Sequence, residues 1–304
     1  MISAEFIESI SSPAIKARVK ELSTNDPSVT VLSYMMSPEK LLEWAHAVPK
    51  DAELRKLLPP IPPKDLRSKT ASPDEEVFLW TGMLDLSNFW DIYQKHGGGD
   101  LQRAEVLDFG CGAGRMVRFL GQMKSVKAHA IDINPDLVKW CQKNLSAVTT
   151  AQNSEAPPMP FPDAKFDMVY SMSIFTHLPE DNTQAWLNDI ARVLKPGGLL
   201  ILTTHGYPAL DIIRNSAIHQ KMFDVTADRT DELIAQLKRE HFIHLGYEWR
   251  LLNFAKAGKR YGNTFIDSDY VHSKWNTPAL DVIEHLPGGL RGWQDVVVLR
   301  RKAT

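Results

Sequence analysis

The sequence has few cysteines, little net charge and no long hydrophobic run. It contains 2 cysteines in 304 residues, so it has no disulfide framework and suits a reducing compartment. Its formal net charge is −2, so no overall basic field draws the chain to nucleic acid or to an anionic membrane. No apolar segment approaches the roughly 18 residues that a membrane helix needs. These absences predict a cytoplasmic protein that binds neither nucleic acid nor membrane.

Proline interrupts the N-terminal part of the chain at one place. The segments Ala14–Leu22 and Pro38–Ala47 look like amphipathic helices, but Leu57–Lys64 reads LLPPIPPK. Its prolines exclude both a helix interior and a central strand, so this segment is predicted to be a linker or an extended strap. We therefore expect a helical extension with this strap over residues 1–70, followed by one larger domain over residues 71–304.

The larger domain is predicted to begin with a helix that stops near Gly97. Ser72 is the predicted N-cap, with Pro73 in the first helical position and acidic residues in the first turn. From Glu105 onward, short apolar runs alternate with amphipathic segments. The predicted strands are Glu105–Asp108, Lys127–Asp132, Ala147–Asn153, Phe166–Ser171 and Leu199–Thr204. The predicted helices between them are Gly114–Met123, Pro135–Asn144 and Asn182–Leu194.

Strands joined by helices through short loops specify a mostly parallel sheet with helices on both sides, which is the Rossmann-like, doubly wound α/β class. The pattern loosens after Thr204, where a helix is predicted at Ala227–Glu240. We expect residues 205–278 to form an inserted lid. The end of the chain, residues 280–301, reads as two strands joined by a Gly-Gly turn. A connection this short predicts an antiparallel C-terminal hairpin.

A glycine-rich turn, EVLDFGCGAGR, follows the first predicted strand. Its glycines are Gly110, Gly112 and Gly114, and the position of a third dinucleotide-type glycine is occupied by Arg115. The spacing therefore differs from the G-x-G-x-x-G pattern of NAD-binding proteins. A second acid, Asp132, closes the next predicted strand, where a carboxylate can accept hydrogen bonds from both hydroxyls of a ribose.

These two motifs resemble those of the class I S-adenosylmethionine-dependent methyltransferases, and PFPDAKFDMVY and LKPGGLLILTT resemble the later strands of that family. The resemblance implies S-adenosylmethionine as methyl donor and S-adenosylhomocysteine as product. It places Asp132 at the ribose, the glycine loop at the methionine, and the end of the third strand at the adenine. The implied cofactor-binding residues are Asp108, Gly110, Cys111, Gly112, Gly114, Asp132, Ile133, Asn153, Ser154 and Ser171.

The acceptor is expected at the rim that follows the fourth and fifth strands. His177 is the candidate general base, because an imidazole accepts a proton near neutral pH; the alternative is that it packs or caps a helix. The predicted substrate-side residues are Ser173, Phe175, His205, Tyr270 and His272. For most of the aromatic residues in the lid, packing against the sheet is the alternative. The fourth and fifth strands end in Ser171 and Thr204 and not in carboxylates, so no metal site is predicted.

The function that these residues favour is methyl transfer to a small-molecule or glycan-type acceptor, with oxygen as the expected acceptor atom. The place of an N/D-P-P-Y/F tetrad is taken by YSMS, at residues 170–173, which disfavours methylation of base or amide nitrogens. Two alternatives stay open: a protein or RNA methyltransferase, and a module that binds the cofactor without transferring its methyl group. The acceptor and the oligomeric state are left open as well.

Overall fold

The computed structural model describes residues 51–97, 103–123, 125–247 and 260–303. The chain divides into two compact units, Met1–Gln152 and Asn153–Thr304. The helices predicted at Ala14–Leu22 and Pro38–Ala47 lie outside the described residues. Among the helices that are described, none has the combination of length and hydropathy that a transmembrane span requires.

The first unit begins, within the described residues, with three helices around the proline segment. Residues 58–63 lie between two of these helices without regular structure, as the prolines predict. The helices are α1 (Ala52–Leu57), α2 (Lys64–Ser68) and α3 (Glu75–Gly97).

The predicted N-cap of α3 is wrong by two residues. The side-chain Oδ1 of Asp74 accepts a hydrogen bond from the Val77 backbone N–H at 2.9 Å, which is the contact of an N-cap residue. The Ser72 hydroxyl instead accepts from the Asp74 N–H at 3.2 Å. Ser72 therefore shapes the turn before the helix, and the helix begins one residue after Asp74.

Three parallel strands form the sheet of the first unit, in the order β3-β2-β1. Parallel pairing requires a crossover after each strand. The elements are β1 (Ala104–Phe109), α4 (Val117–Leu120), β2 (Val126–Asp132), α5 (Pro135–Asn144) and β3 (Val148–Gln152). Helix α5 has the predicted bounds, because Asn134 caps it by accepting from the Asp136 N–H and Pro135 stands in its first turn.

Helix α4 is much shorter than the predicted Gly114–Met123. Gly110, Gly112 and Gly114 have φ values of 83°, 56° and 73°, in the left-handed region that a right-handed helix excludes. At Gly114 a Cβ would lie 2.4 Å from Cδ1 of Leu145, so no other residue fits there. The chain therefore turns through the glycines before helical geometry begins at Val117.

Of the six strands of the second unit, four are ordered β4-β5-β9-β8, in which β4 and β5 are parallel and the C-terminal pair is antiparallel. The other two, β6 and β7, form a separate antiparallel pair. The predicted class is confirmed: the two units supply parallel strands with intervening helices and an antiparallel C-terminal hairpin. The elements are β4 (Phe166–Ser171), α6 (Glu180–Val193), β5 (Leu194–Thr204), α7 (Tyr207–Asn215), α8 (Ala217–Phe223), α9 (Ala227–Glu240), β6 (Phe242–Gly246), β7 (Gly262–Ile266), α10 (Ser268–Lys274), β8 (Leu280–Leu290) and β9 (Gln294–Arg301).

The hairpin turn does not lie at the predicted Gly-Gly pair. Gly288 and Gly289 fall inside β8, where the register with β9 shifts. The turn is made by Arg291 and Gly292, with φ values of 57° and 71°, and it is closed by a 3.0 Å hydrogen bond from the Trp293 N–H to the Leu290 carbonyl. Three residues, 291–293, thus connect the paired Leu290 and Gln294, and the positive φ values at Arg291 and Gly292 allow the chain to reverse there.

Helix α3 approaches the glycine loop so closely that only glycine fits at Gly82. A Cβ there would lie 2.3 Å from the backbone carbonyl oxygen of Arg115. An alanine in a helix interior normally stabilises by about 1 kcal/mol over glycine, but here we expect Gly82→Ala to lower the free energy of unfolding by about 3 kcal/mol. Chemical denaturation measures this change. Gly246→Ala is the control, because no atom lies within 4 Å of its Cβ position; a neutral or stabilising Gly82→Ala would contradict the packing.

Candidate active site

Backbone N–H groups of the glycine loop in the first unit form hydrogen bonds with the end of β2. The N–H groups of Gly110 and Cys111 both donate to the Ile131 carbonyl at 2.9 Å. The Gly112 N–H donates to Oδ2 of Asp132 at 2.8 Å. The predicted loop and the predicted second acid are therefore brought into direct contact.

Asp132 is a buried carboxylate with remaining capacity to accept hydrogen bonds. Its Oδ1 accepts from the Asn134 N–H at 2.8 Å, while Oδ2 holds the loop. Burial raises the pKa of Asp132, and the backbone N–H groups of Asn134 and Gly112 oppose that rise. Each carboxylate oxygen has two lone pairs, so both oxygens can accept a further hydroxyl group, as the predicted ribose contact requires.

Thr70 contacts the glycine loop, and no sequence pattern indicated this contact. Its hydroxyl oxygen accepts from the Ala113 N–H at 2.9 Å, across 43 positions of sequence. Its methyl carbon Cγ2 would lie 2.4 Å from a Cβ at Gly112. The segment that follows α2 therefore packs directly on the glycine loop, which explains why Gly112 has no space for a side chain.

Cys111 is not an activated thiol. The residue lies in the turn before α4 and not in the first turn of that helix. Its neighbour Cys141 and its own burial raise the pKa of Cys111 well above the ordinary value. Both thiols lie near the Gly112 carbonyl oxygen, at 3.4 Å and 3.5 Å, so the pair packs beneath the loop.

The other predicted cofactor residues occupy the ends of their strands. In the first unit, Asp108 is buried within β1, and the Ile133 carbonyl accepts from the Gln152 side chain at 3.2 Å. In the second unit, Ser171 is buried at the end of β4. Asn153 donates to the Ser154 carbonyl at 3.0 Å, and its Oδ1 is buried without a hydrogen-bond partner. Their contact with a cofactor stays a prediction.

In the second unit, the His177 ring is fixed in one tautomer. Its Nδ1 lies 2.8 Å from the Gly262 carbonyl oxygen and 3.0 Å from the Tyr247 hydroxyl oxygen. Because a carbonyl only accepts, Nδ1 carries the proton and Nε2 keeps its lone pair. The Tyr247 hydroxyl donates onward to Oδ1 of Asn263 at 2.8 Å. Burial lowers the pKa of His177, so the ring is neutral near pH 7.

His205 lies close to His177 and is bound to the C-terminal hairpin. The two imidazole centroids are 6.5 Å apart. The side-chain nitrogen of Gln294 lies 3.3 Å from His205 Nε2 and 2.9 Å from the Ser173 hydroxyl, so it can donate one hydrogen to each. With Nε2 accepting, Nδ1 of His205 carries a proton, and this buried atom has no hydrogen-bond partner. An unpaired buried donor costs free energy, which makes Nδ1 a candidate contact for a ligand.

Ser173 is held in a strained conformation at this rim. Its φ is 56°, which is uncommon for a residue with a side chain. Its N–H donates to the Thr203 hydroxyl at 2.8 Å, and the Gln294 contact fixes its own hydroxyl. Strained backbone of this kind is concentrated at functional sites. Gln294, Tyr247 and Asn263 were not identified from the sequence.

The remaining predicted acceptor residues have contacts elsewhere in the second unit. Phe175 is fully buried, with its ring centroid 6.2 Å from that of Trp275. The Tyr270 hydroxyl donates to Glu180 at 2.6 Å. His272 is exposed on α10, and its ring centroid lies 6.0 Å from that of His285. The structure brings Ser173, His177 and His205 together, and a role of the other three in acceptor binding stays a prediction.

Burial of His205 predicts an acid-sensitive fold. Desolvation lowers its pKa to about 3, and His177 adds to the effect. Between about pH 6.5 and this value the unfolded chain binds the proton and the folded chain does not, so stability falls as pH falls, by up to about 1.4 kcal/mol per pH unit. We expect His205→Leu to flatten this dependence in urea denaturation between pH 7 and pH 5. His272→Gln, at an exposed site, is the control; an equal slope in His205→Leu and wild type would contradict the assignment.

Among the described residues, one group has the composition of a cation site. His241, Asp267 and Asp269 have potential ligand atoms within 4.8 Å of one another. Oδ2 of Asp267 lies 2.8 Å from His241 Nδ1, and Oδ1 accepts from the Tyr270 N–H at 2.9 Å. Both oxygens of Asp267 thus hold hydrogen bonds within the chain, and the sequence-based expectation of no metal site stays a prediction.

Comparison with known proteins identifies the domain. Residues 106–198 match the family model described as "Methyltransferase domain". This range contains the glycine loop, Asp132 and His177. The chain contains a class I S-adenosylmethionine-dependent methyltransferase domain. The methyl donor of this family is S-adenosylmethionine, so the predicted family and cofactor are confirmed.

Curated relatives of this methyltransferase domain carry out several kinds of methylation, judged by their names. A probable chloroplastic tocopherol O-methyltransferase of Oryza sativa subsp. japonica is 31% identical over 104 residues, covering 33% of this chain and 28% of its own. A fatty-acid O-methyltransferase of Mycolicibacterium smegmatis is 31% identical over 37% of this chain and 41% of its own. A sterol 24-C-methyltransferase of Gibberella zeae is 28% identical over 49% of this chain and 40% of its own. The chain thus spans less than half the length of each.

Proposed function

We propose that the protein transfers the methyl group of S-adenosylmethionine to a hydroxyl oxygen of a small organic acceptor, with His177 as the general base. The observation that carries the proposal is the fixed tautomer of His177. Its Nδ1–H is held by the Gly262 carbonyl and the Tyr247 oxygen. No residue in the described part of the chain forms a hydrogen bond with Nε2, which leaves its lone pair available for an acceptor.

The chemistry needs alignment and one proton acceptor. The acceptor oxygen attacks the methyl carbon in line with the carbon–sulfur bond, the electron pair of that bond returns to sulfur, and the neutral thioether leaves. The hydroxyl proton passes to His177 Nε2. Because burial lowers the pKa of His177, the imidazolium that forms releases this proton readily to solvent after the reaction.

The surroundings of His205 are aromatic, which favours an apolar acceptor at this rim. The rings of Phe223, Phe265 and Trp293 have centroids 5.3, 5.8 and 5.6 Å from that of His205. The unpaired Nδ1–H of His205 is the polar group within this aromatic cluster. Ligand sites commonly combine apolar walls with a few such polar groups. Relatives named for tocopherol and fatty-acid methylation act on acceptors of an apolar kind.

The test is transfer of labelled methyl from S-adenosylmethionine to defined acceptor classes. We expect label in hydroxylated apolar small molecules, such as a panel of phenols, hydroxyquinones and hydroxylated lipids. Total RNA and a protein extract run in parallel test the macromolecular alternative. Label in RNA or protein alone would overturn the proposed acceptor class. Cofactor binding without label in any fraction would favour the non-catalytic alternative.

A further inference from the structure

A cavity of about 240 Å³ lies in the first unit, between the proline strap and two helices. The strap residues 58–61 form one wall, and Leu79 of α3 and Phe119 of α4 form another. Most of its lining is apolar, but two arginines, Arg55 and Arg118, also line it. Its volume lies just below the range of about 300–1,000 Å³ typical of drug-sized ligands, so it suits a small organic molecule.

Arg118 is a buried cation with no carboxylate partner. Its relative exposure is 1%, and its guanidinium carbon lies 5.6 Å from the centroid of the Phe78 ring. Nη2 donates to the backbone carbonyls of Pro59 and Pro60. Nη1 is buried and forms no hydrogen bond. Within the described ranges, no ion pair joins Arg118 to an acid.

This arrangement leaves a positive charge only partly compensated. Carbonyl dipoles and an aromatic face stabilise a guanidinium, but they do not neutralise it, and an unpaired buried charge is costly. Burial lowers the pKa of Arg118 to about 10, so the group still carries its charge near pH 7. The free edge at Nη1 therefore lacks the anionic acceptor that a buried arginine normally has.

Arg55 adds a second positive charge at the cavity. Its side chain is 44% exposed, and its contact with Glu75 is long, at 3.5 Å. Glu75 is shared with Arg67, whose Nη1 lies 3.3 Å from it. The cavity thus combines a buried cation, a cation at the surface and walls of leucine, isoleucine, proline and phenylalanine.

We propose that this cavity binds a small organic anion, in which a carboxylate contacts the guanidinium of Arg118 and an apolar body contacts the strap, Leu79 and Phe119. Fully hydrated inorganic anions fit less well, because the apolar walls form no hydrogen bonds that would replace those lost with water. The site is separate from the acceptor cluster of the second unit and does not depend on the proposed methyl transfer.

The test is isothermal titration of the full chain with hexanoate, with hexanamide as the neutral analogue and with inorganic phosphate. We expect hexanoate to bind at least about tenfold more tightly than hexanamide, as one charge-assisted hydrogen bond predicts. Inorganic phosphate is expected to bind more weakly than hexanoate. Equal affinity for the acid and the amide, equal or tighter binding of phosphate, or no binding of hexanoate at 10 mM would overturn the proposal.

Two variants test whether hexanoate binds in this cavity. Arg118→Met removes the charge and is expected to weaken hexanoate binding at least about tenfold. Ile61→Trp keeps both arginines but fills the cavity from the strap, and it should abolish binding even if Arg118→Met folds poorly. Asp163→Asn, at an exposed position of the second unit, is the control. Hexanoate binding that survives Ile61→Trp unchanged would show that the anion binds elsewhere.

Discussion

Asp132→Ala is expected to weaken binding of both S-adenosylmethionine and S-adenosylhomocysteine by at least about 100-fold. The substitution removes the predicted acceptor for the ribose hydroxyls. It also leaves the N–H groups of Gly112 and Asn134 without the carboxylate that now accepts from them at 2.8 Å. The glycine loop would then lose its side-chain attachment to the end of β2. Isothermal titration with each ligand measures the effect.

The matched control for Asp132→Ala is Asp163→Asn, which changes an exposed carboxylate paired with Arg192. Its affinity for both ligands should equal that of the wild type. Asp132→Asn separates the two roles of Asp132, because one amide oxygen can still accept while the amide nitrogen opposes the other N–H donor. If Asp132→Ala bound either ligand with unchanged affinity, the cofactor site would have to lie elsewhere.

His177→Asn is expected to lower kcat by about 10²- to 10⁴-fold, the usual contribution of a general base. The asparagine amide can still donate to the Gly262 carbonyl, so the local fold is preserved while Nε2 is lost. In the wild type, burial lowers the pKa of His177. Activity should therefore rise with pH through a value below 6.5 and stay level above it. Steady-state rates between pH 5 and pH 8 test both expectations, and the acidic limb should vanish in the variant.

Tyr247→Phe tests the second hydrogen-bond partner of His177 Nδ1. It removes the hydroxyl that lies 3.0 Å from Nδ1, but the Gly262 carbonyl still fixes the tautomer. We expect a loss of about tenfold or less in kcat, and a pH dependence like that of the wild type. Affinity for S-adenosylmethionine should stay unchanged in both variants. A His177→Asn protein with more than a tenth of the wild-type kcat would instead favour the packing role.

Local signals allowed several elements to be predicted closely. Helix α5 has its predicted bounds because its cap and its proline are adjacent in sequence to its first turn. Helix α9 has its predicted bounds as well, and Thr226 caps it by accepting from the Arg229 N–H at 3.2 Å. Helix α4 could not be bounded in this way, because its sequence does not show how far the left-handed turn through Gly110, Gly112 and Gly114 extends.

The same difference between local sequence signals and contacts of distant segments applies to the candidate functional residues. The glycine loop follows β1, Asp132 ends β2, and His177 and His205 lie in the segments after β4 and β5. Ligands bind beyond such strand ends in open α/β sheets, and the sequence identified these residues. Gln294 lies 121 positions from Ser173, and its contact depends on the pairing of β9 with β5. Thr70 likewise reaches the glycine loop, and Tyr247 reaches His177, from segments distant in sequence and without a motif. No pattern in a single sequence carries contacts of this kind.

The tight turn at Arg291 and Gly292 leads directly into the residues that lie beside Ser173 and His205. It is followed directly by Trp293, Gln294 and Asp295, of which Gln294 faces Ser173 and His205. Side chains alternate faces along a strand, so a shift of β9 by one residue against β5 would exchange Gln294 for a neighbour at that position. The pairing of two strands that are far apart in sequence thus sets which hydrogen-bonding group lies beside Ser173 and His205, and a change of that register would alter this group while leaving the glycine loop unchanged.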